Sequence, residues 1–362
     1  MKQSVKFAAA MGALTLALTA CAGNGNVAQQ SDEAKAELPF KACAVSDTGG
    51  WQDKSFNQSA YDGLMEAKSF LGVTVDTAES DTVEDFTNNV EKMVDDSCTL
   101  IIGVGFHLEP AVHESALKHT DRNYALIDST FSDGTNPVVL ENGRPLLFNT
   151  SEAAYLAGYA SAAMTKTGKV ATFGGAQIPA VTVFMDGFAD GVNAYNQAKG
   201  TSVQVLGWDK ETQTGAFTDS FDDQSLGLQQ AQQFISEGAD IIMPVAGAVG
   251  LGAAAAAKSS GNTLIVGVDT DWYEANPQYS SIVLTSVRKE IGAAVEQAIQ
   301  DSTKGKFTSD PYVGTLANGG VSLAPFHDFE AQVPMEVKQE ISKLTEQIKK
   351  GTLVIESENA PK

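Results

Sequence analysis

The sequence predicts an α/β protein of two lobes, each a doubly wound parallel sheet, with a hinge and a cleft between them. Short apolar runs alternate with helical stretches through most of the chain, which is typical of parallel sheets covered on both faces. About four such strand–helix units precede Asn149 and about four follow it. The segment expected to fold, from Pro39 to about Ile355, exceeds one compact core.

The predicted strands are near-continuous apolar runs. In chain order they are "KACAVSD", "GVTVDTA", "TLIIGVG", "NYALIDS", "KVATFGG", "SVQVLGW", "DIIMPVAG" and "TLIVGVD". The clearest helical stretches between them are "DTVEDFTNNVEKMVDD", "EAAYLAGYASAAMT" and "QSLGLQQAQQFISEG". The first crossing between the lobes is expected near "LLFNTSEAA", where the first set of units ends.

Beyond Trp272 the pattern changes to a strand, a helix, a segment without clear period and a last helix. The simplest path for this segment returns to the first lobe and then crosses back. We therefore expect residues 39–149 and about 275–310 in lobe 1, and residues 150–274 and about 311–355 in lobe 2.

The beginning of the chain has the order of a secretory signal. Two lysines precede an apolar stretch that closes with Leu18-Thr19-Ala20-Cys21. This ending resembles the bacterial lipobox, which implies a signal peptide over residues 1–20 and lipidation of Cys21; a chance cysteine in an ordinary signal peptide is the alternative. The polar residues 21–38 are then expected to form a flexible, lipid-anchored tether on the extracytoplasmic face of the cell membrane.

Charge and cysteine content restrict the possible partners. The formal net charge of −21 opposes binding to nucleic acid, so no nucleic-acid partner is expected. Cys43 and Cys98 each begin a predicted strand. If those strands are neighbours, an exported location permits a disulfide between them, and two buried free thiols are the alternative.

Three predicted strands end in aspartate, namely Asp47, Asp128 and Asp269. Ligands of doubly wound sheets bind at the carboxyl ends of strands, although a turn or helix-cap role explains any single aspartate. Carboxylates at three such ends favour a ligand with vicinal hydroxyls or ring N–H groups, because they can accept hydrogen bonds from these groups.

A helix is expected to begin at Phe56, just after Asp47. Ser55 and Gln58 have the spacing of a capping box, and the helix would bury Ala60, Leu64 and Ala67.

The first turn of that helix would then place Phe56 and Asn57 beside Asp47. An aromatic ring in this place can stack on a heterocycle, whereas a core role is the alternative for Phe56.

Several segments, taken together and in order, resemble the basic membrane protein family, the purine nucleoside receptor A-like lipoproteins. They cover roughly residues 40–330 and comprise "DTGGWQDKSFNQSAYDGL", "LIIGVGF", "YALIDS", "FDDQSLGLQQA", "GADIIMPVAGAVGLGAAAAAK", "VGVDTDW", "LTSVRK" and "NGGVSLAP". The resemblance implies a type I periplasmic-binding-protein fold. It also implies a substrate-binding protein of an ABC importer, which delivers its ligand to a membrane permease.

The resemblance further implies a purine nucleoside of the adenosine, guanosine or inosine type, held between aromatic rings in the cleft. Lys289 would reach the sugar hydroxyls or a carboxylate beside them. For Phe184, packing in the core is the alternative to ligand contact. The ligand-binding residues implied at matching positions are Asp47, Phe56, Asn57, Asp128, Phe221, Gly247, Asp269 and Lys289, with Phe106 and Phe184 as second choices.

Two departures from the family pattern, at Trp51 and at Asp271-Trp272, bear on which base is accepted. No cofactor, metal or catalytic residue is expected, since the chain has no G-x-S-x-G elbow and no H-E-x-x-H site.

Two rival functions remain. A receptor for a sugar or another small polar solute would use the same acids and amides, and only ligand chemistry separates it. An exported NAD-dependent oxidoreductase is the second alternative. It is suggested by glycines at 250 and 252 between a strand and a helix, with Asp269 about twenty residues further on.

Overall fold

A computed structural model describes residues 40–361 of the chain. The predicted signal peptide over residues 1–20, the lipidation site Cys21 and the tether over residues 21–38 lie outside these residues. Across the described part, no helix has both the length and the apolar character needed to cross a bilayer.

The strands and helices alternate as the sequence predicts. The strands are β1 (Lys41–Ser46), β2 (Thr74–Ala78), β3 (Leu100–Val104), β4 (Asn123–Ile127), β5 (Gly143–Phe148), β6 (Lys169–Gly174), β7 (Gln204–Leu206), β8 (Trp208–Asp209), β9 (Thr214–Gly215), β10 (Ile241–Val245), β11 (Leu264–Asp269), β12 (Val283–Lys289), β13 (Tyr312–Gly314) and β14 (Val321–Leu323). The helices are α1 (Phe56–Leu71), α2 (Asp85–Asp95), α3 (Glu109–Lys118), α4 (Ser151–Met164), α5 (Pro179–Lys199), α6 (Gln224–Ser236), α7 (Val249–Ser260), α8 (Trp272–Ala275), α9 (Ile291–Thr303) and α10 (Met335–Lys349).

The two lobes repeat one sheet topology. Within residues 40–361 each lobe has a six-stranded sheet, with the order β13-β5-β4-β3-β1-β2 in lobe 1 and β14-β12-β11-β10-β6-β7 in lobe 2. Neighbouring strands are parallel in both sheets, apart from the antiparallel pair β12–β14. The carboxyl ends of β4 and β11 therefore occupy equivalent places, one in each lobe.

The path of the chain between the lobes differs from the expected boundaries. The first crossing, at residues 149–150, lies where it was predicted. Strand β12, expected in lobe 1, pairs with β11 in lobe 2, and strand β13, expected in lobe 2, pairs with β5 in lobe 1. The boundaries at 275 and 310 are thus wrong: the crossings lie at residue 290 and between residues 315 and 320. Strand β13 has three residues, too few to show a period.

The glycines that imitate a dinucleotide-binding fingerprint serve helix packing. Gly250 and Gly252 lie inside α7, not in the turn that precedes it. A Cβ atom on Gly252 would overlap the carbonyl oxygen of Gln224, so the missing side chain lets α6 and α7 approach closely. Because a dinucleotide site needs its glycines in the strand–helix turn, this feature does not support the oxidoreductase alternative.

A disulfide joins Cys43 at β1 to Cys98 ahead of β3, so these cysteines are not free thiols. The strands are neighbours, and the Cα atoms lie 5.9 Å apart. The bridge closes a loop across a sequence separation of 55. In the chain-entropy description, a loop of this length stabilises the fold by about 4 kcal/mol.

Candidate functional site

A cavity of about 70 Å³ lies between the lobes, at the carboxyl ends of both sheets. We call this cavity the cleft. Its wall contains all the ligand-binding residues predicted from the sequence, namely Asp47, Phe56, Asn57, Phe106, Asp128, Phe184, Phe221, Gly247, Asp269 and Lys289.

Asp47 and Asn57 form a polar pair on the lobe 1 side of the cleft. Asp47 Oδ1 accepts hydrogen bonds from the Gly49 backbone N–H at 2.9 Å and from Asn57 Nδ2 at 2.6 Å. Burial raises the pKa of the Asp47 carboxyl, and these two bonds oppose the rise. Because the Asn57 amide nitrogen faces the carboxylate, its Oδ1 is left as a buried acceptor without a protein partner. The pair thus presents a fixed acceptor to a donor group of a ligand.

Helix α1 begins at Phe56 as predicted, and Ala60, Leu64 and Ala67 are buried. The predicted capping box, however, is wrong. Asp53 caps the helix instead, since its carboxylate accepts from the backbone N–H groups of Ser55, Asn57 and Gln58 at 2.9–3.0 Å.

The hydroxyl of Ser55 is therefore released from a capping role. It donates to Asp269 Oδ2 at 2.7 Å and so links lobe 1 to lobe 2 beside the cleft.

The buried cap makes stability depend on pH. Burial raises the pKa of the Asp53 carboxyl from 3.8 to about 6, against the smaller opposing effect of its three backbone hydrogen bonds. The folded chain binds more protons than the unfolded chain between these values. The contribution of Asp53 is therefore fully present below about pH 4 and is lost as the pH rises through about 6. We expect Asp53→Asn to remove this dependence.

Urea unfolding of both proteins at about pH 4.5 and about pH 7 tests the dependence on Asp53. The free energy of unfolding of the wild type, relative to the variant, should be higher at the lower pH. If the wild type and the variant differ in their free energy of unfolding by the same amount at both pH values, Asp53 does not titrate in this range.

Two strand-end aspartates, Asp128 and Asp269, face each other across the cleft from equivalent positions. Both have left-handed backbone, with φ values of 62° and 67°. This conformation is uncommon outside glycine, although aspartate adopts it more often than most residues. Strain of this kind is typical of residues that a fold holds in place for function.

Lys289, the last residue of β12, binds both of these acids. Its Nζ pairs with the Asp128 carboxylate and lies 3.8 Å from Asp269 Oδ1. The side chain of Lys289 is 3% exposed and that of Asp128 is 9% exposed. Burial raises the pKa of the Asp128 carboxyl, while the Lys289 ammonium opposes that rise. The three groups form a desolvated charge cluster of two acids and one base.

Aromatic rings surround this lysine. Its Nζ lies 5.0 Å from the ring centre of Phe56, 5.2 Å from Phe184 and 5.7 Å from Phe148. Phe184 is 1% exposed and so both packs in the core and borders the cleft. Phe148 was missed in the sequence, although the strand-end argument applied to β5 would have found it.

A second aromatic group lies at the rim of the cleft. Phe106 and His107 extend from lobe 1 toward Phe221 of lobe 2, and the rings of His107 and Phe221 are 6.4 Å apart. The sequence does not single out His107, because a histidine in a short turn has no motif to distinguish it.

The two tryptophans that depart from the family pattern do not line the cleft. Trp51 is 7% exposed and packs against Tyr61. The Trp272 ring is buried behind β11, where its Nε1 donates to the Val268 carbonyl oxygen at 2.9 Å. Neither ring can therefore select a base by direct contact in this arrangement.

Comparison with known proteins identifies the family. The model of the family Bmp, described as "ABC transporter substrate-binding protein PnrA-like", matches residues 40–358. The chain belongs to the Bmp family. Two relatives are similar over nearly their whole length. The ABC transporter nucleoside-binding protein BmpA of Lactococcus lactis subsp. cremoris is 29% identical, with 99% of this chain and 100% of that protein covered. Basic membrane protein A of Borreliella burgdorferi is 28% identical, with 95% of this chain and 93% of that protein covered.

The fold of this Bmp protein is also that of a solved structure. An ABC transporter solute-binding protein from Aeropyrum pernix K1 superposes with a TM-score of 0.77 at 25% identity, covering 88% of this chain and 94% of that chain. The architecture is the type I periplasmic-binding-protein fold, and the chain is an ABC transporter substrate-binding protein.

Proposed function

We propose that this protein captures a purine nucleoside in the cleft and delivers it to a membrane permease. The observation that carries the proposal is the composition of the cleft wall, in which aromatic rings lie beside a buried group of carboxylates, an amide and one lysine. A flat heterocycle stacks on such rings, and its polar edge and sugar need the hydrogen-bonding groups. The name of the lactococcal relative, a nucleoside-binding protein, agrees with this chemistry.

The cleft divides into two parts in this proposal. Phe56 and Phe221 hold the base, and the free Asn57 Oδ1 accepts from a ring N–H or an exocyclic amine. The ribose diol binds the charge cluster of Asp128, Asp269 and Lys289, because carboxylates accept from vicinal hydroxyls and an ammonium donates to them.

Binding is expected to favour the closed arrangement of the lobes. The Ser55–Asp269 hydrogen bond and the Lys289–Asp128 ion pair each join one lobe to the other. A ligand that contacts both lobes only when they are closed shifts the equilibrium toward that state.

Export and anchoring complete the proposal. The lipobox-like ending at Cys21 supports cleavage of the signal peptide and lipidation. The acyl chains would hold the protein at the extracytoplasmic face of the membrane, where it meets the permease.

Calorimetric titration with adenosine, guanosine, inosine and a hexose tests the ligand class. At least one purine nucleoside should bind, and Phe56→Ala should weaken that binding by about tenfold or more, since base–aromatic stacking is lost. The melting temperature of the empty variant should stay close to that of the wild type. Phe70→Ala is the matched control, because Phe70 lies on the same helix, is 66% exposed and does not line the cleft.

Tight binding of the hexose with no response to the nucleosides would replace this proposal with the sugar-receptor alternative. A large loss of stability in Phe56→Ala without loss of affinity would place Phe56 in the core.

A further inference from the structure

A second interlobe cavity adjoins the cleft. Its volume is about 400 Å³, and we call it the side cavity. Phe106, Asp128 and Ala180 line both cavities, so these residues lie between the two spaces. The other walls come from the loop after β4, the strand β5, the first turns of α5, the loop before β13 and residues 358–361.

The side cavity is lined mainly by apolar groups. Its valine, leucine and phenylalanine side chains are Val138, Val139, Val183, Leu147, Phe106 and Phe148, and five prolines and two alanines add to them. Among the described residues that line it, Asp128 and Glu358 carry charge, and there is no lysine, arginine or histidine. Such a lining favours an uncharged apolar group and opposes a phosphate, which would lose water without gaining a cation.

The wall formed by residues 358–361 is held in place by a buried carboxylate. Asp186 on α5 is 0% exposed. Its Oδ2 accepts from Ser357 Oγ at 2.6 Å and from Asn359 Nδ2 at 3.2 Å. The backbone carbonyl of Glu356 also accepts from Lys210 Nζ at 2.5 Å. The segment is thus fixed on lobe 2, while the opposite wall of the side cavity belongs to lobe 1.

We propose that the side cavity accepts an apolar substituent at the 5′ position of a bound nucleoside, so that 5′-alkylthio nucleosides are also ligands. This inference depends on the proposed function. Asp128 is one of the proposed ribose-binding acids and also lines the side cavity. A group that extends from the ribose past Asp128 is directed toward the apolar space, whereas a group on the base starts beside Phe56 and Phe221, which line only the cleft.

Calorimetric titration with four probes tests this: adenosine, 5′-deoxy-5′-(isobutylthio)adenosine, adenosine 5′-monophosphate and N6-benzyladenosine. We expect the isobutylthio compound to bind within about tenfold of adenosine or more tightly, since its alkyl group is removed from water. The monophosphate and the benzyl compound should each bind more than about 100-fold more weakly.

Two surface variants place a large ring in the side cavity without altering the cleft wall, Ser309→Trp and Val139→Trp. Both positions lie in loops, and Val139 is 81% exposed, so the fold should tolerate the change. In each variant, the dissociation constant of the isobutylthio compound should rise by about tenfold, while that of adenosine should stay within about twofold of the wild-type value. Ser236→Trp is the matched control, because Ser236 is exposed at the end of α6 and lines neither cavity.

The outcomes separate the two proposals. If adenosine binds but the isobutylthio compound binds more than about tenfold more weakly than adenosine, the side-cavity inference is overturned and the proposed nucleoside receptor stands. The same holds if both tryptophan variants weaken the binding of adenosine and of the isobutylthio compound equally, or if N6-benzyladenosine binds as tightly as the isobutylthio compound. No binding of any nucleoside, including guanosine and inosine, would overturn the proposed function itself.

Discussion

Lys289→Met is expected to raise the dissociation constant for the proposed nucleoside ligand by about 100-fold or more. In the closed arrangement the lysine is the partner of Asp128 and lies 3.8 Å from Asp269, and the lysine side chain is 3% exposed. Removing one member of a buried charge group costs about 3–5 kcal/mol, because the remaining charges stay desolvated. When the lobes open, water can reach the two carboxylates. The cost should therefore fall on closure and binding more than on the free energy of unfolding.

Acid should partly restore binding in this variant. Burial raises the pKa of the Asp128 carboxyl, and loss of the ammonium removes the effect that opposed the rise. A neutral carboxyl needs no cationic partner, so lowering the pH from about 7 toward 5 should narrow the gap between variant and wild type. Titrations across this range measure the effect.

The double variant Lys289→Met/Asp128→Asn is the second check. It should lose less binding energy than the sum of the single variants, since the second change removes one of the unpaired charges. Additive losses, together with a gap that does not change with pH, would show that the lysine acts only through its own contact with the ligand.

Asp186→Ala is expected to lower the free energy of unfolding by about 3–5 kcal/mol. The carboxylate accepts hydrogen bonds from Trp208 Nε1, Gln213 Nε2, Ser357 Oγ and Asn359 Nδ2. Each donor left buried without an acceptor lowers the free energy of unfolding by about 1–3 kcal/mol, although water can bind the donors nearest the surface. Urea unfolding measures the loss.

Limited proteolysis locates the effect of Asp186→Ala. Residues 353–361 should be released from the fold and cleaved first, because two of the four donors belong to this segment. Asp190→Ala is the matched control on the same helix, and its partly exposed ion pair with Lys210 should contribute at most about 1 kcal/mol. Equal stability losses in the two variants, with no change in proteolysis, would contradict a special role of Asp186.

The ends of the strands can be predicted from the sequence because each depends only on a short run of neighbouring residues. A buried apolar run that stops at an aspartate identifies Asp47, Asp128 and Asp269 without knowledge of the sheet order. The start of α1 at Phe56 is predictable for a similar reason, since the apolar spacing that follows it is regular. The resemblance to a family then added Phe221, Gly247 and Lys289 at positions where no local pattern would have selected them.

The remaining features depend on contacts between distant segments. Asp53 and Ser55 compete for the same helix end, and the outcome depends on Asp269, more than 200 positions along the chain, which takes the Ser55 hydroxyl. The crossing after Lys289 could not be located, because both lobes offer parallel edges on which a short strand can pair. The side cavity arises where residues 358–361 meet the loops of lobe 1, and no single segment encodes it.

The place of Lys289 has a consequence for the order of events in capture. It is the last residue before the crossing at residue 290, and Phe148, 5.7 Å from its Nζ, directly precedes the crossing at residue 149. Atoms next to the pivot sweep the shortest arc when two bodies rotate apart. The pairing of ammonium and Asp128 can thus persist over small opening angles, while the rings of Phe106 and Phe221 at the rim separate. An arriving solute would be anchored first at the pivot and enclosed last at the rim.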